Sequence, residues 1–242
     1  MSGPSGPPRL LVLWSAPRSR STAFERMMAQ RGDFDVLHEP FSHVADYGST
    51  TVGGREVRSE PELLAALRTV PGPTFLKDTT DFHYPAVLAD AGFLRGATHT
   101  FLIRHPREAI ASHYKLNPRL GRDEVGFAWL YEIFAAARAA TGVVPVVIDS
   151  DDLVDRPAQT VQRYCERVGI PPRPEALSWQ PGMAAGWQRS ERWHRDTSGT
   201  TAFSPTRTEY ESTVDNSPVL AGYLDHHLPY YERLREHRLT PG

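Results

Sequence analysis

The chain has 242 residues, of which 40% are hydrophobic and 23% are charged, and this composition predicts one folded domain over residues 1–242 rather than a disordered segment. Its formal net charge of -2 supplies no long-range positive field, so we expect no nucleic-acid partner. Any anion site must then be a local cluster of cations and backbone N–H groups.

The N-terminal sequence and the single cysteine bear on where the protein works. Residues 1–8 are rich in Pro and Gly and predict a flexible lead, without the basic start and apolar stretch of a secretory signal. The next apolar run, residues 10–14, is too short to span a membrane. Cys165 has no second cysteine to pair with and lies in a pattern typical of a buried helix face. We therefore expect a cytoplasmic protein with no membrane partner.

Buried strands and amphipathic helices alternate along the chain. The continuous apolar run at residues 9–14 predicts a strand buried on both faces, and residues 21–30 predict the helix that follows it. Further strands are predicted near residues 35–38, 74–77, 98–103 and 143–149, and further helices near residues 60–69, 84–91, 106–115, 123–140, 158–168 and 219–239. This alternation predicts a three-layer α/β fold, in which a mainly parallel, doubly wound sheet has helices on both faces.

Ligands of such a sheet bind beyond the carboxyl ends of its strands. The turns after Trp14, His38, Lys77 and Ile103 should therefore meet at one crevice. Residues 178–208 are polar and irregular, with four aromatic residues interspersed, which indicates a lid over that crevice.

The first of these turns carries an unusual set of residues. Residues 15–22 (SAPRSRST) lead into a helix start, where free backbone N–H groups, hydroxyls and two guanidiniums would surround one point and form an anion cradle. A nucleoside triphosphate loop would need Gly on either side and a Lys before Ser21, and neither is present. The stretch resembles the 5′-phosphosulfate loop of the sulfotransferases that use 3′-phosphoadenosine 5′-phosphosulfate (PAPS).

That resemblance implies a set of residues that bind the 5′ end of PAPS. They are Pro17, Arg18, Ser19, Arg20, Ser21 and Thr22. The sequence departs from the family pattern at two places, because Arg20 replaces a common Gly and Ala23 replaces the Trp that stacks on adenine in the cytosolic branch. The base must therefore stack on another side chain.

A second stretch, residues 101–112, resembles the family motif for the 3′-phosphate. It predicts a strand that ends at Arg104 and a helix that Pro106 opens, with Ser112 about two helical turns further on. The resemblance implies that Arg104 and Ser112 grip the 3′-phosphate of the nucleotide. The two stretches together predict a sulfotransferase that uses PAPS as co-substrate and releases adenosine 3′,5′-bisphosphate (PAP).

The remaining chemistry needs a cation at the transferring group and a base for the acceptor proton. Lys77 resembles the family lysine near that group, and we expect Arg18 to act there as well. Thr79 stands where the cytosolic branch has its catalytic His. The replacement candidates are Glu39, then His83, Asp81 and Asp78, and Glu39 resembles the carboxylate base of branches that act on aliphatic hydroxyls. The sequence shows no spacing typical of metal ligands, so we expect no metal.

Several alternatives stay open at this point. In residues 193–201 the hydroxyl-rich turn resembles the family loop that closes over the nucleotide, with Thr197 and Ser198 as its candidates. The acceptor is expected to be a small molecule sulfated at a hydroxyl or an amine. The sequence leaves open whether the protein forms a homodimer. A P-loop nucleotide kinase and a non-catalytic PAP-binding protein are the rival functions.

Overall fold

A parallel sheet forms the centre of the fold in the computed structural model, which describes residues 8–183, 185–205 and 208–240. The strands are β1 (Leu10–Ser15), β2 (Asp35–His38), β3 (Thr50–Val52), β4 (Arg55–Val57), β5 (Thr74–Thr79), β6 (Thr98–Ile103) and β7 (Val146–Asp149). Five of them pair in parallel in the order β2-β5-β1-β6-β7, while β3 and β4 form a separate antiparallel hairpin. The predicted parallel sheet is therefore present among the residues that the structure describes.

Helices connect these strands and cover the sheet. They are α1 (Ser21–Arg31), α2 (Pro40–Tyr47), α3 (Glu60–Leu67), α4 (Pro85–Ala89), α5 (Ala91–Gly96), α6 (Pro106–Leu116), α7 (Phe127–Thr141), α8 (Ser150–Asp155), α9 (Pro157–Val168), α10 (Glu191–Ser198) and α11 (Pro218–Arg235). Short 3₁₀ helices lie at Asp123–Val125, Pro174–Leu177 and Ala185–Ser190. Within the described residues, no helix is long and apolar enough to cross a membrane.

The side chains of β1 separate two apolar layers. Val12 and Trp14 point into a cluster that includes residues of α3, α7 and α11. Leu11 and Leu13 point to the opposite face, where they pack with residues of α1 and α9, including the buried Cys165. A strand buried on both faces gives this alternation because successive side chains point to opposite sides of the sheet. The predicted three-layer α/β fold is confirmed.

Several predicted boundaries were wrong, and α2 and the β3–β4 hairpin were not predicted at all. The helix expected at residues 84–91 is two short helices, since the Asp90 carboxylate accepts a hydrogen bond from Phe93 N–H at 2.9 Å and starts α5. The helix expected at residues 123–140 is interrupted at Gly126, whose φ of 85° is left-handed. A Cβ at this glycine would lie 2.5 Å from the carbonyl oxygen of Thr80, so the close approach requires glycine.

Candidate functional site

One cavity opens beyond the carboxyl ends of the central strands, where the sequence predicted a crevice. Eleven of the fifteen site candidates named from the sequence line it: Pro17, Arg18, Arg20, Ser21, Thr22, Glu39, Lys77, Asp81, Arg104, Ser112 and Thr197. Ser19, Asp78, His83 and Ser198 are not in this lining. The lining also includes aromatic side chains, namely Tyr47, Phe82, Trp193 and Tyr210.

The loop between β1 and α1 has a strained backbone. Arg18 and Arg20 adopt left-handed φ angles of 64° and 66°, which non-glycine residues reach only at a cost of about 1–3 kcal/mol each. Arg20 is the N-cap of α1 but its side chain makes no capping bond. The hydroxyl of Ser19 is buried and has no hydrogen-bond partner among the described residues. The loop therefore offers an uncapped helix N-terminus to an anion, with Ser21 and Thr22 in the cavity lining, while the Ser19 hydroxyl lies outside that lining.

The two predicted phosphate-binding stretches are joined by direct hydrogen bonds. Arg18 Nε donates to Ser112 Oγ at 3.0 Å, and Arg104 Nη1 donates to the carbonyl of Arg18 at 3.2 Å. Arg104 also forms a 2.7 Å ion pair with Glu108. The guanidinium of Arg18 thus reaches the second stretch, and its Nη1 also donates to the Trp193 carbonyl at 2.8 Å. The role expected for Arg18 at the transferring group stays a prediction.

Arg20, by contrast, extends from the loop towards α8. Its Nη1 donates to the carboxylate of Asp151 at 2.8 Å and contacts Ser150 Oγ at 3.2 Å. Asp149, which accepts from the Asp151 N–H at 3.0 Å, is the cap of α8. Arg20 therefore anchors the loop to the start of α8 while it lines the cavity edge.

Glu39 and Lys77 form a buried ion pair at the centre of the cavity. The side chain of Lys77 is 1% exposed, and its Nζ donates a short hydrogen bond to Glu39 Oε1. The backbone of Glu39 has a left-handed conformation, with φ at 44°, and its N–H donates to the Lys77 carbonyl at 2.7 Å. Burial raises the pKa of Glu39, but the charges of Lys77 and His38 outweigh it and hold this pKa well below its usual range.

Two histidines lie against this pair. His38 Nδ1 contacts a Glu25 carboxylate oxygen at 2.7 Å, and His38 Nε2 lies 3.1 Å from His194 Nε2. Burial lowers the pKa of His38, but Glu25 and Glu39 raise it more, so its net shift is upward. Burial lowers the pKa of His194 to about 3. The sequence alone assigned no role in the site to His38, His194 or Glu25.

The segment predicted as a lid packs onto this cluster. Trp187 is fully buried and its indole N–H donates to Glu25 at 2.9 Å. Gly186 lies so close to His38 that a Cβ there would be 3.0 Å from His38 Cβ. Arg26 of α1 donates to the Gly182 carbonyl at 2.7 Å. The segment therefore covers one side of the cavity in this structure, while opening and closing stay a prediction.

Comparison with known proteins identifies the chain at the level of the family. The family model described as "Sulfotransferase domain" matches residues 9–237. The chain belongs to the sulfotransferase family. The match spans both predicted phosphate-binding stretches and the Glu39–Lys77 pair, so the whole cavity lies inside the sulfotransferase domain.

The individual proteins that match this chain have low sequence identity to it. Branched-chain-amino-acid aminotransferase-like protein 1 of Arabidopsis thaliana is 28% identical over 95% of this chain, which covers 42% of that protein. The chain thus spans less than half the length of that curated relative. Sulfotransferase ppzF of Metarhizium majus (strain ARSEF 297) is 33% identical over 33% of this chain and 29% of its own length. A sulfotransferase from Alicyclobacillus acidocaldarius superposes with a TM-score of 0.48 at 14% identity over 97% of this chain and 98% of that one.

The other candidate bases of this sulfotransferase occupy different surroundings. His83 is exposed, and its Nε2 faces Glu132 at 3.0 Å, outside the cavity lining. Asp81 lines the cavity and accepts from Thr79 Oγ1 at 2.7 Å, and burial raises its pKa to about 6. Glu39 is the candidate that combines a cavity position with contact to Lys77.

Asp78 has a structural role in the sulfotransferase domain. Its carboxylate accepts from the backbone N–H groups of Phe41 and Ser42 at 2.6 and 3.1 Å, and so caps the start of α2 next to Glu39. It also accepts from Ser42 Oγ at 2.6 Å. Burial raises the pKa of Asp78 to about 7, against the effect of these donors. These three contacts serve the position of α2, and the Thr79 N–H also donates to the same carboxylate at 3.0 Å.

We expect Asp78→Ala to lower the free energy of unfolding by about 3 kcal/mol or more, because two buried N–H groups lose their acceptor at about 1–3 kcal/mol each. Asp46→Ala is the matched control, since Asp46 is an exposed carboxylate on the same helix and should change stability by less than about 0.5 kcal/mol. Urea unfolding measures both. Equal losses in the two variants would contradict the capping role of Asp78.

Proposed function

We propose that this sulfotransferase moves the sulfuryl group of PAPS to a hydroxyl group of a small-molecule acceptor and releases PAP. The observation that carries the proposal is that two anion-binding stretches and a buried acid–lysine pair line one cavity. The aromatic side chains of Tyr47, Phe82 and Tyr210 in the cavity lining offer an apolar surface for the acceptor. An acceptor amine would fit the same arrangement, and a screen of alcohols and amines as acceptors distinguishes the two classes.

The chemistry of the donor groups fits the two ends of PAPS. The N-terminus of α1, with Ser21 and Thr22 in the cavity lining, would hold the 5′-phosphosulfate, whose charge the helix dipole stabilises. Arg104 and Ser112 would hold the 3′-phosphate, and Arg18, bonded to Ser112, would add a third donor there. The proposal for Arg18 therefore differs from the sequence expectation, which placed it at the sulfuryl end.

The central pair supplies the groups for transfer. The acceptor oxygen forms a bond to sulfur while the bond from sulfur to the bridging oxygen breaks, and the electron pair of that bond leaves with PAP. Lys77 would stabilise the negative charge on the leaving oxygen, and Glu39 would take the proton that the acceptor hydroxyl loses. Because Lys77 contacts Glu39 Oε1, the oxygen that would take the proton is Oε2.

A nucleotide kinase is a weaker proposal for the same cavity. Its loop would need a lysine before Ser21 to hold the transferred phosphate, and Arg20 at that place donates instead to Asp151. A non-catalytic PAP-binding protein would share the nucleotide contacts and would differ only in the absence of turnover with labelled PAPS.

We expect PAP to bind at least about 10-fold more tightly than AMP, because hydrogen bonds to charged groups are worth about 1.5–3 kcal/mol and AMP leaves the Arg104 site without its phosphate. Arg104→Ala should remove most of this preference and leave AMP binding nearly unchanged. Arg107→Ala is the control, since Arg107 lies on the same helix but pairs with Asp215 outside the cavity. Isothermal calorimetry measures each dissociation constant, and equal constants for PAP and AMP in the wild type would refute the assignment.

We expect Glu39→Gln to lose about 10²–10⁴ in turnover while it keeps its affinity for PAP, since that is the usual contribution of a general base. His83→Ala should stay near wild-type turnover because its side chain lies outside the cavity. The measurement is steady-state transfer from labelled PAPS, with thermal unfolding as the check on the fold. Near wild-type turnover of Glu39→Gln together with collapse of His83→Ala would transfer the role to His83.

A further inference from the structure

Three buried ligand atoms meet beside the anion loop. His38 Nε2 lies 3.1 Å from His194 Nε2 and 3.4 Å from Glu39 Oε2, and the last two atoms are 4.0 Å apart. In a tetrahedral site with metal–ligand bonds near 2.0–2.1 Å, adjacent ligand atoms are about 3.3 Å apart. The triangle formed by these atoms therefore matches one face of a tetrahedral metal site with little adjustment.

The far side of each ligand is fixed by a further hydrogen bond. Glu25 contacts His38 Nδ1 at 2.7 Å, and Thr22 Oγ1 contacts His194 Nδ1 at 3.1 Å. Lys77 binds Glu39 Oε1, the oxygen that does not face the histidines. Metal ligands are typically oriented in this way, with a carboxylate or hydroxyl on the second imidazole nitrogen and a donor on the second carboxylate oxygen.

The two imidazoles face one another through their Nε2 atoms, which lie 3.1 Å apart. Two lone pairs at this distance repel, so the two atoms share either a proton or a cation. Ser190 Oγ lies 2.9 Å from His194 Nε2 and 3.4 Å from His38 Nε2, so a fourth oxygen is close to the same point. The position is enclosed by buried residues, which favours one ion at a defined place.

We propose that His38 Nε2, His194 Nε2 and Glu39 Oε2 bind one divalent transition-metal ion, with Ser190 Oγ or water as the fourth ligand. Two imidazoles and one carboxylate suit Zn²⁺ or Co²⁺ rather than Mg²⁺, which prefers an all-oxygen octahedron. The carboxylates of Glu25 and Glu39 offset the charge of the ion beside Lys77. This departs from the sequence expectation of no metal. The site was not recognisable in the sequence because His194 is 156 residues away from His38.

The site has a consequence for the proposed sulfuryl transfer, which itself needs no metal. A bound ion uses the Glu39 oxygen that faces the histidines, so Glu39 could not take the acceptor proton at the same time. Occupancy by the ion would therefore inhibit transfer. Metal binding, however, can be measured without PAPS or acceptor, and its failure would leave the transfer proposal unchanged.

The test is a titration of chelator-treated full-length protein with Co²⁺, followed by its visible d–d absorption, and with Zn²⁺ in a calorimeter. We expect one ion per chain with a tetrahedral Co²⁺ spectrum in the wild type. His194→Ala should lose this signal. His43→Ala is the matched control, since His43 is buried 5.6 Å from the His38 ring but lies outside the triangle, and it should retain the signal.

A second variant covers the case in which His194→Ala does not fold. Glu25→Gln keeps all three ligands but weakens the bond that orients His38, so we expect the dissociation constant for Zn²⁺ to rise about 10–100-fold. Three results would overturn the proposal: no ion bound by the wild type, binding that persists in folded His194→Ala, or unchanged affinity in Glu25→Gln.

Discussion

The buried ion pair of Lys77 and Glu39 is the contact on which the rest of the site depends. Both side chains are almost fully enclosed, and a buried charge is tolerated only when a partner and further hydrogen bonds compensate its desolvation. The pair joins β5 to the turn after β2, and its backbone bond from Glu39 N–H to the Lys77 carbonyl fixes the same junction. Loss of one partner would leave an uncompensated charge beside the anion loop.

Backbone strain in the described residues is concentrated around this pair and the loop next to it. The non-glycine residues with left-handed φ angles are Arg18, Arg20 and Glu39, and all three lie at the carboxyl ends of β1 and β2. Such strain persists only where surrounding bonds over-determine the conformation, and it is typical of functional sites. Here the Arg104 bond to the Arg18 carbonyl, the Asp151 pair of Arg20 and the Lys77 pair of Glu39 provide those bonds.

The sequence predicted the parts of this molecule that depend on local patterns. The parallel sheet was predictable because strands buried on both faces are continuous apolar runs, as at β1. The two stretches that resemble sulfotransferase motifs were recognisable because each is short, and their binding of phosphate stays a prediction. The direction of the Arg18 side chain was not predictable from the sequence, since its partner Ser112 lies 94 residues away. Contacts of His38 with Glu25 and His194 likewise depend on tertiary packing. The helix α2 was not predicted because its N-cap is Glu39, which is strained and makes no capping bond, whereas α3, of the same length, begins after Ser59, which accepts from the Glu62 N–H.

We propose that the cavity binds PAPS in one orientation, with its sulfuryl end towards Glu39 and Lys77. A crystal structure of the protein with PAP is the most direct test. We expect the 5′-phosphate at the N-terminus of α1 within hydrogen-bond distance of Ser21 or Thr22, and the 3′-phosphate between Arg104 and Ser112. Electron density for the 3′-phosphate at the Glu39–Lys77 pair, or for PAP outside this cavity, would contradict it.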